Sequence, residues 1–219
     1  MDFSVVWKFR AALLEGTGYT LMLTLVPAAI GLVIASFICA ATLSRWKALR
    51  WPAVAFSELW RNTPILVQAV WVHFALPMVT GIATSAFESG MITLSLNASA
   101  YFGEIIRTGV TSVGKGQFEA ADALGLSFWP RWTRVVLPQA LPRIIPPLTG
   151  SMISLLKATA ALSILAVDDL MKVVNRLNSV TFRTIELYTA SAVIYTLLGV
   201  ALGALAYLVE RNFSRQRGF

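Results

Sequence analysis

The sequence predicts an all-α membrane protein with five transmembrane helices. Apolar residues occupy 57% of its 219 positions and charged residues only 13%, whereas soluble domains have roughly 45–50% and about 25%. So few charged residues could hardly cover a water-soluble domain of this size, and the apolar content excludes a disordered chain. With one Cys and one His, the chain lacks the ligands for a Cys₄ or Cys₂His₂ zinc site. We therefore expect neither a metal nor a cofactor.

The first two spans are predicted at 18–43 and 62–80, within long stretches that contain no Asp, Glu, Lys or Arg. A transmembrane helix needs about 20 mostly apolar residues, and both stretches have that length. Pro64 and Pro77 mark the start and the end of the second span. A cleaved signal peptide is the alternative for the first span, but the apolar stretch is too long and no small-residue cleavage site follows it.

The remaining spans are predicted at 86–110, 144–167 and 187–209. The third has charged residues near its ends, the fourth is interrupted by Lys157, and the fifth contains no charge. The whole chain, 1–219, is thus expected to form a single transmembrane domain.

The distribution of Lys and Arg between the loops predicts the orientation of the chain. If the N-terminus is outside, the cytoplasmic segments 44–52, 111–143 and 210–219 carry ten Lys and Arg residues and the outer segments carry five. Three more lie in or beside spans and are not counted. Because cytoplasmic loops are enriched in Lys and Arg, the N-terminus is predicted outside and the C-terminus in the cytoplasm.

The cytoplasmic loop 111–143 has the pattern of a short helix-turn-helix. Glu119 lies early in an Ala-rich stretch, where an acidic residue suits the start of a helix. Helical spacing places four apolar residues on one face: Ala120, Ala121, Leu124 and Phe128.

A turn is predicted at Gly125 and Ser127, followed by a second short helix that ends at Pro138. The small apolar face would fit a groove on a partner protein. The alternative is an interfacial helix on lipid, which Arg131 and Arg134 would suit.

The spacing of this loop resembles the EAA loop of ABC-importer permeases. In that family, Glu-Ala-Ala is followed after three residues by Gly, and after nine more by an aliphatic residue, one residue and Leu-Pro. The matching positions here are Glu119, Ala120, Ala121, Gly125, Val135, Leu137 and Pro138.

The resemblance extends over about residues 15–210 and is strongest to the polar amino-acid uptake branch. It rests on Arg61-Asn62-Thr63-Pro64, Gln68, Tyr101, Glu104, Arg107, Gly116-Gln117, Pro146-Pro147 and Lys157. It implies a type I importer fold in which five helices form half of a transmembrane dimer, with an identical or paralogous second permease. It also implies two cytoplasmic ATPase subunits that dock on the EAA loops, and an extracytoplasmic substrate-binding protein. In this chain Glu119, Ala120, Ala121 and Gly125 would then couple transport to the ATPase.

Polar residues within the spans are the candidates for a substrate pathway, because charges at bilayer depth need a partner or a watery cavity. Glu104 and Arg107 are three residues apart and could simply pair with each other. Ser151, Ser154 and Lys157 form a polar stripe that favours a cavity wall, unless Lys157 pairs with an acidic residue nearby. The candidate pathway residues are Arg61, Gln68, Glu104, Arg107, Ser151, Ser154, Lys157 and Thr159.

The resemblance also bears on the substrate. Many members of this branch carry an acidic residue directly after the lysine, and some carry another six residues before it. This chain has Ala158 and Ser151 at those positions. A cationic side chain would find no carboxylate there, so an acidic or neutral polar amino acid is favoured over a basic one.

These observations predict a permease subunit of an ATP-driven, binding-protein-dependent amino-acid importer in the bacterial plasma (inner) membrane, working by alternating access. The chain has no Gly-x-x-x-x-Gly-Lys-Ser/Thr motif, so a partner chain is expected to hydrolyse ATP and this subunit is not expected to be an enzyme. No nucleic-acid partner is expected. The alternative is a secondary transporter or channel without an ATPase, which would need several buried acidic residues, whereas only Glu104 qualifies.

Overall fold

The structure is a computed structural model that describes residues 2–215, with side chains described as far as Leu208. The end of the last predicted cytoplasmic segment, 216–219, lies outside these residues. The described residues form helices joined by short turns and loops. Its helices are α1 (Ser4–Lys8), α2 (Arg10–Thr42), α3 (Lys47–Asn62), α4 (Ile65–Thr80), α5 (Ala86–Thr111), α6 (Lys115–Ala123), α7 (Phe128–Leu165), α8 (Leu170–Thr181) and α9 (Thr184–Arg215).

Three helices are long and apolar enough to cross a membrane by themselves: α2, α7 and α9, the last over Thr184–Leu208. The α3–α4 pair qualifies only as one broken unit, because it bends by 109° at Thr63 and Pro64. Helix α5 has 26 residues, which is long enough for a span. Because it contains many Ser, Thr, Asn and charged residues, it is less apolar than α2, α7 and α9. Four of the predicted spans overlap α2, α5, α7 and α9, and the second, 62–80, overlaps α4.

Helix α5 tolerates its polar residues because it packs centrally, along the length of α2. A Cβ at Gly31 would lie 2.8 Å from the Cβ of Ala98, so the two backbones can approach only because residue 31 is Gly. The buried hydroxyls of Thr93 and Ser99 donate hydrogen bonds to α5 carbonyls about one turn earlier. Leu23, Leu94 and Phe102 fill the core around this contact.

A second cluster forms where α8 packs against α2 and α9. It contains Leu13, Leu170, Val174 and Leu187. Asp169 caps α8 by accepting a hydrogen bond from the backbone N–H of Lys172 at 2.9 Å. This cap fixes the start of α8 against the ends of the long helices.

The prediction that Pro138 ends a short second helix is wrong, because the helix that contains it continues into the segment predicted as the fourth span, 144–167. Helix α7 runs from Phe128 to Leu165, with a π-helical turn at Arg131–Val136 and a 3₁₀ turn at Thr159–Leu165. Pro138 lies two residues after Val136, where the π-helical turn ends. Its missing N–H therefore falls where the hydrogen-bond register changes, so the helix continues.

Candidate functional site

The break between α3 and α4 creates the centre of the site. Pro64 disfavours a helical conformation at the residue before it, and Thr63 is extended, with φ −106° and ψ 143°. The last carbonyl groups of α3 consequently lack their usual helical partners and need others.

Gln68 supplies most of these partners. Its buried side chain donates from Nε2 to the carbonyl of Trp60 at 2.7 Å, and to the carbonyl and hydroxyl oxygens of Thr63 at 3.0 and 2.7 Å. Its Oε1 accepts a hydrogen bond from Nδ2 of Asn97 at 2.9 Å. The hydroxyl of Tyr101 donates to the carbonyl of Arg61 at 3.1 Å. Two side chains of α5 thus hold the broken end of α3 in place.

A cleft of about 460 Å³ opens beside this break, between α4, α5 and α7. Its polar lining comes from Thr63, Asn97, Tyr101, Ser151 and Ser154. Its apolar lining comes from Pro64, Ile65, Ala98, Ile105, Leu155 and Ala158. The described wall thus carries hydroxyl and amide groups but no charged side chain, which suits a small polar ligand.

Two of the pathway candidates on α7, Ser151 and Ser154, lie on this cleft wall, and two do not. Lys157 is exposed and absent from the lining, because it is displaced about 60° around the helix from Ser154 at about 100° per residue. It forms no ion pair with any described residue, so the alternative in which Lys157 pairs with an acidic residue is not observed among them. Thr159 is buried, and its hydroxyl donates to the carbonyl of Leu156.

The remaining charged candidates form a separate cluster between α3 and α5. Oε1 of Glu104 lies 2.5 Å from Nη2 of Arg107, and its Oε2 lies 3.5 Å from Nη1 of Arg61. Arg61 is also 3.7 Å from Glu58. These four residues line a polar cleft of about 290 Å³ together with Arg50 and Ser57. The pairing of Glu104 with Arg107, expected from their spacing, is therefore present, and it extends to a second helix.

The turn after α6 depends on Gly125. The N–H of Gly125 donates to the carbonyl of Asp122 at 2.9 Å, and the N–H of Leu126 donates to that of Ala121 at 3.0 Å. This pair of bonds is a Schellman motif, which requires a left-handed residue, and Gly125 has φ +65°. Glycine is needed here for its backbone conformation, since a Cβ would meet nothing within 4 Å.

The apolar residues of this loop divide between two faces, contrary to the prediction that four of them share one. Ala121 is 1% exposed and faces α7, whereas Ala120, Leu124 and Phe128 are exposed, Leu124 by 77%. Glu119 is also exposed. An ion pair between Arg131 and Asp122 ties α6 to the first turns of α7. Inward packing of Ala121 thus leaves Leu124, Phe128 and Trp129 as an exposed apolar surface.

Sequence reasoning missed Asn97, which joins the cleft to the broken helix. A single amide side chain in the middle of a predicted span could have indicated such a site, because polar groups there need hydrogen-bond partners. By contrast, the hydrogen bond between Nδ1 of His73 and Oγ of Ser89, 2.9 Å long, matches the usual role of a lone His in a span. No group of three His, Cys, Asp or Glu residues suited to a metal ion occurs in the described part of the chain.

Comparison with known protein families gives a match over most of the chain. Residues 15–215 match the family described as binding-protein-dependent transport system inner membrane component. The glutamine transport system permease protein GlnP of Escherichia coli K12 is 36% identical, covering 96% of this chain and 97% of that protein. The arginine transport system permease protein ArtQ of Bacillus subtilis is 32% identical, covering 97% of each.

Solved structures agree with this match. A crystal structure of an amino acid ABC transporter with histidines has a chain that is 34% identical, with a TM-score of 0.89 over 97% of this chain and 99% of that one. An inward-facing form of the MetNI methionine ABC transporter has a TM-score of 0.79 over the same shares of each chain, at 19% identity. The latter likeness concerns the fold alone.

Proposed function

Since the chain belongs to the family of binding-protein-dependent transport system inner membrane components, we propose that it is the permease subunit of an ATP-driven amino-acid importer. Its similarity to GlnP, ArtQ and the amino acid ABC transporter supports the choice of amino acids as the substrate class. ATP hydrolysis takes place on a separate cytoplasmic subunit, and the permease contributes no catalytic group.

A single helix carries this proposal, because α7 contains residues of both the exposed apolar surface and the cleft. Trp129 lies near its start, and Ser154 lies 25 residues further along, which corresponds to roughly 38 Å of helix. A displacement of the loop at Trp129 can thus reach the cleft through continuous backbone. This is the connection that coupling between ATPase and substrate requires.

The proposed mechanism is alternating access by a dimer of two such subunits, identical or paralogous. Two ATPase subunits bind two such surfaces, each formed by Glu119, Ala120 and the exposed apolar residues Leu124, Phe128 and Trp129. The ATPase subunits approach each other when ATP binds. The permease then opens outward to the substrate-binding protein, and hydrolysis returns it to an inward-facing state. Substrate and nucleotide can drive this cycle because each binds the outward-facing and inward-facing states with different affinity.

We further propose that the substrate is a neutral or acidic polar amino acid. The cleft wall offers hydroxyl and amide groups, and none of its described lining residues carries a carboxylate that would attract a cationic side chain. Lys157 lies on the same helix just beyond the Ser154 edge of the wall, where it can attract a carboxylate. The named relatives include both glutamine and arginine permeases, so the proposal depends on the residues of this chain.

The proposed orientation has the N-terminus outside and the C-terminus in the cytoplasm of a bacterium, in its inner membrane. Single cysteines test it in a Cys39→Ser background, which removes the only natural thiol. Ala83 and Ser127 are both exposed. An impermeant thiol reagent should label Ala83→Cys in whole cells and Ser127→Cys only in inverted vesicles. The reverse pattern would overturn the orientation.

Complex formation is the experiment that separates this function from a transporter without an ATPase. The chain is expressed with its cognate ATPase and purified through a tag on the permease. We expect the ATPase to co-purify, and its activity to rise when the loaded binding protein is added. Absence of a stable complex, or an ATPase activity that does not change when the loaded binding protein is added, would contradict the proposal.

A further inference from the structure

Asn97 places a primary amide at the middle of α5, roughly 17 Å along the helix from Ala86. A polar group at that depth is costly unless it is hydrogen-bonded. Only one end of this amide is satisfied by the fold, because Nδ2 donates to Gln68 Oε1 at 2.9 Å and lies 3.4 Å from the carbonyl oxygen of Trp60. No described donor forms a hydrogen bond to its Oδ1.

The orientation of the amide follows from a chain of obligatory donors and acceptors. One end of the Gln68 amide contacts the carbonyl oxygens of Trp60 and Thr63, which can only accept, so that end must be the NH₂ group. Its Oε1 therefore faces Asn97 and needs a donor. Asn97 must in turn present Nδ2 to Gln68, and this leaves Oδ1 as the free atom of a residue that lines the cleft.

The surroundings of Asn97 favour a cationic donor as the partner of this oxygen. The C-terminal end of α3, which is the negative end of its helix dipole, lies at Thr63 on the same cleft wall. Half-helix ends of this kind attract cations in transport proteins. No Lys or Arg occurs among the described lining residues to repel one.

We propose that Oδ1 of Asn97 accepts a hydrogen bond from the α-ammonium group of an amino acid in the cleft, and that Gln68 is the positioning residue that holds the amide in this orientation. The inference rests on the proposed function, since it assigns one substrate group to one atom of that site. It provides one acceptor for the α-ammonium group in a cleft whose described lining residues carry no carboxylate. The hydroxyl of Ser151 forms no hydrogen bond with described residues and is available for the substrate carboxylate.

The test measures direct binding to the purified permease–ATPase complex without binding protein. The ligands are L-glutamine, L-glutamate and L-arginine, each paired with its α-deamino analogue: glutaramate, glutarate and 5-guanidinopentanoate. The wild-type complex should bind its preferred amino acid roughly tenfold or more tightly than the analogue, as expected for one charge-assisted hydrogen bond. Asn97→Leu, similar in shape but without an acceptor, should bring this ratio to near one. Asn97→Ala makes the same comparison if the Leu variant fails to assemble.

Asn97→Asp separates recognition from a structural role, because Asp keeps the acceptor but loses the donor to Gln68. If Asn97 recognises the ammonium group, the Asp variant should retain the preference for the amino acid and the Leu variant should lose it. If Asn97 only supports the fold, both variants should weaken binding of the amino acid and of its analogue equally. The ratio of the two affinities would then be unchanged, and the inference would be overturned.

A second readout keeps this inference separate from the proposed function. If the complete importer takes up an amino acid but the wild-type complex binds the amino acid and its analogue equally, or binds neither, the inference is wrong and the function stands. If the complete importer takes up no amino acid, the proposed function fails.

Discussion

The carboxylate of Glu104 lies 3.5 Å from the guanidinium of Arg61, so an ion pair joins the central helix α5 to the end of α3. The same carboxylate holds Arg107 at 2.5 Å. Glu104 is therefore the shared anion of two cations, and its side chain is only 31% exposed. The helix break at Thr63 is fixed from two sides, by this ion pair and by the Gln68–Asn97 hydrogen bond.

Glu104→Gln should destabilise the folded permease, because it removes the only carboxylate paired with Arg107 among the described residues and one of the two paired with Arg61. We expect a loss of about 1–2 kcal/mol, less than the 3–5 kcal/mol seen when a fully buried pair is broken. The measurement is thermal unfolding of the purified chain in detergent. Glu58→Gln is the matched control, since Glu58 is 55% exposed and lies 3.7 Å from Arg61, and it should cost less than about 0.5 kcal/mol. Equal effects of the two substitutions would contradict the central role of Glu104.

Asp169 should make stability depend on pH. Burial raises the pKa of its carboxyl from 3.8 to about 6. Between these two pH values, the carboxyl is protonated in the folded state and ionised in the unfolded chain. Stability should therefore fall as the pH rises from about 4 to about 6 and stay level above that, by at most about 3 kcal/mol. Asp169→Asn can still cap α8 but does not titrate. The difference in unfolding temperature between the variant and the wild type should grow in favour of Asn over this window; a constant difference would refute the prediction.

Substitutions of Gly125 should separate backbone strain from contact with the ATPase. Its φ of +65° costs a non-glycine residue about 1–2 kcal/mol, less for Asn. Gly125→Asn should keep the turn and bind the ATPase nearly as the wild type does, and Gly125→Ala should bind more weakly. Gly125→Arg should lose binding altogether, because it adds a long cationic side chain to the docking surface as well as strain. Membrane insertion and yield of the permease should be unchanged. Normal ATPase binding by the Arg variant would show that this turn does not face the partner.

Lys157→Ala should lower uptake without lowering stability. Since Lys157 is exposed and has no ion-pair partner among the described residues, its removal leaves no uncompensated charge. Loss of one charge-assisted contact with a substrate carboxylate should reduce uptake roughly tenfold, and Lys157→Arg should restore most of it. Wild-type uptake by the Ala variant, or its failure to fold, would exclude the substrate-contact role.

The features predicted correctly from the sequence are those encoded over short distances. Long apolar stretches indicated the long helices α2 and α9, and the three-residue spacing of Glu104 and Arg107 indicated their ion pair. The errors concern tertiary context. Pro138 suggested a helix end, but a preceding π-helical turn absorbs its missing N–H. Gln68 stays a predicted pathway residue. The sequence did not indicate its second role, in which the buried amide holds the two sides of the helix break together by hydrogen bonds. That role depends on Asn97, 29 positions away in sequence, and no local pattern reveals such a partner.

The most direct test of the account is uptake by the reconstituted importer. The permease, its ATPase and its binding protein are assembled in proteoliposomes with a labelled amino acid on the side of the binding protein and ATP on the other. We predict accumulation of a neutral or acidic polar amino acid that requires both ATP and the binding protein and is lost with Gly125→Arg. Uptake that proceeds without ATP or binding protein, or that is unaffected by Gly125→Arg, would contradict the account.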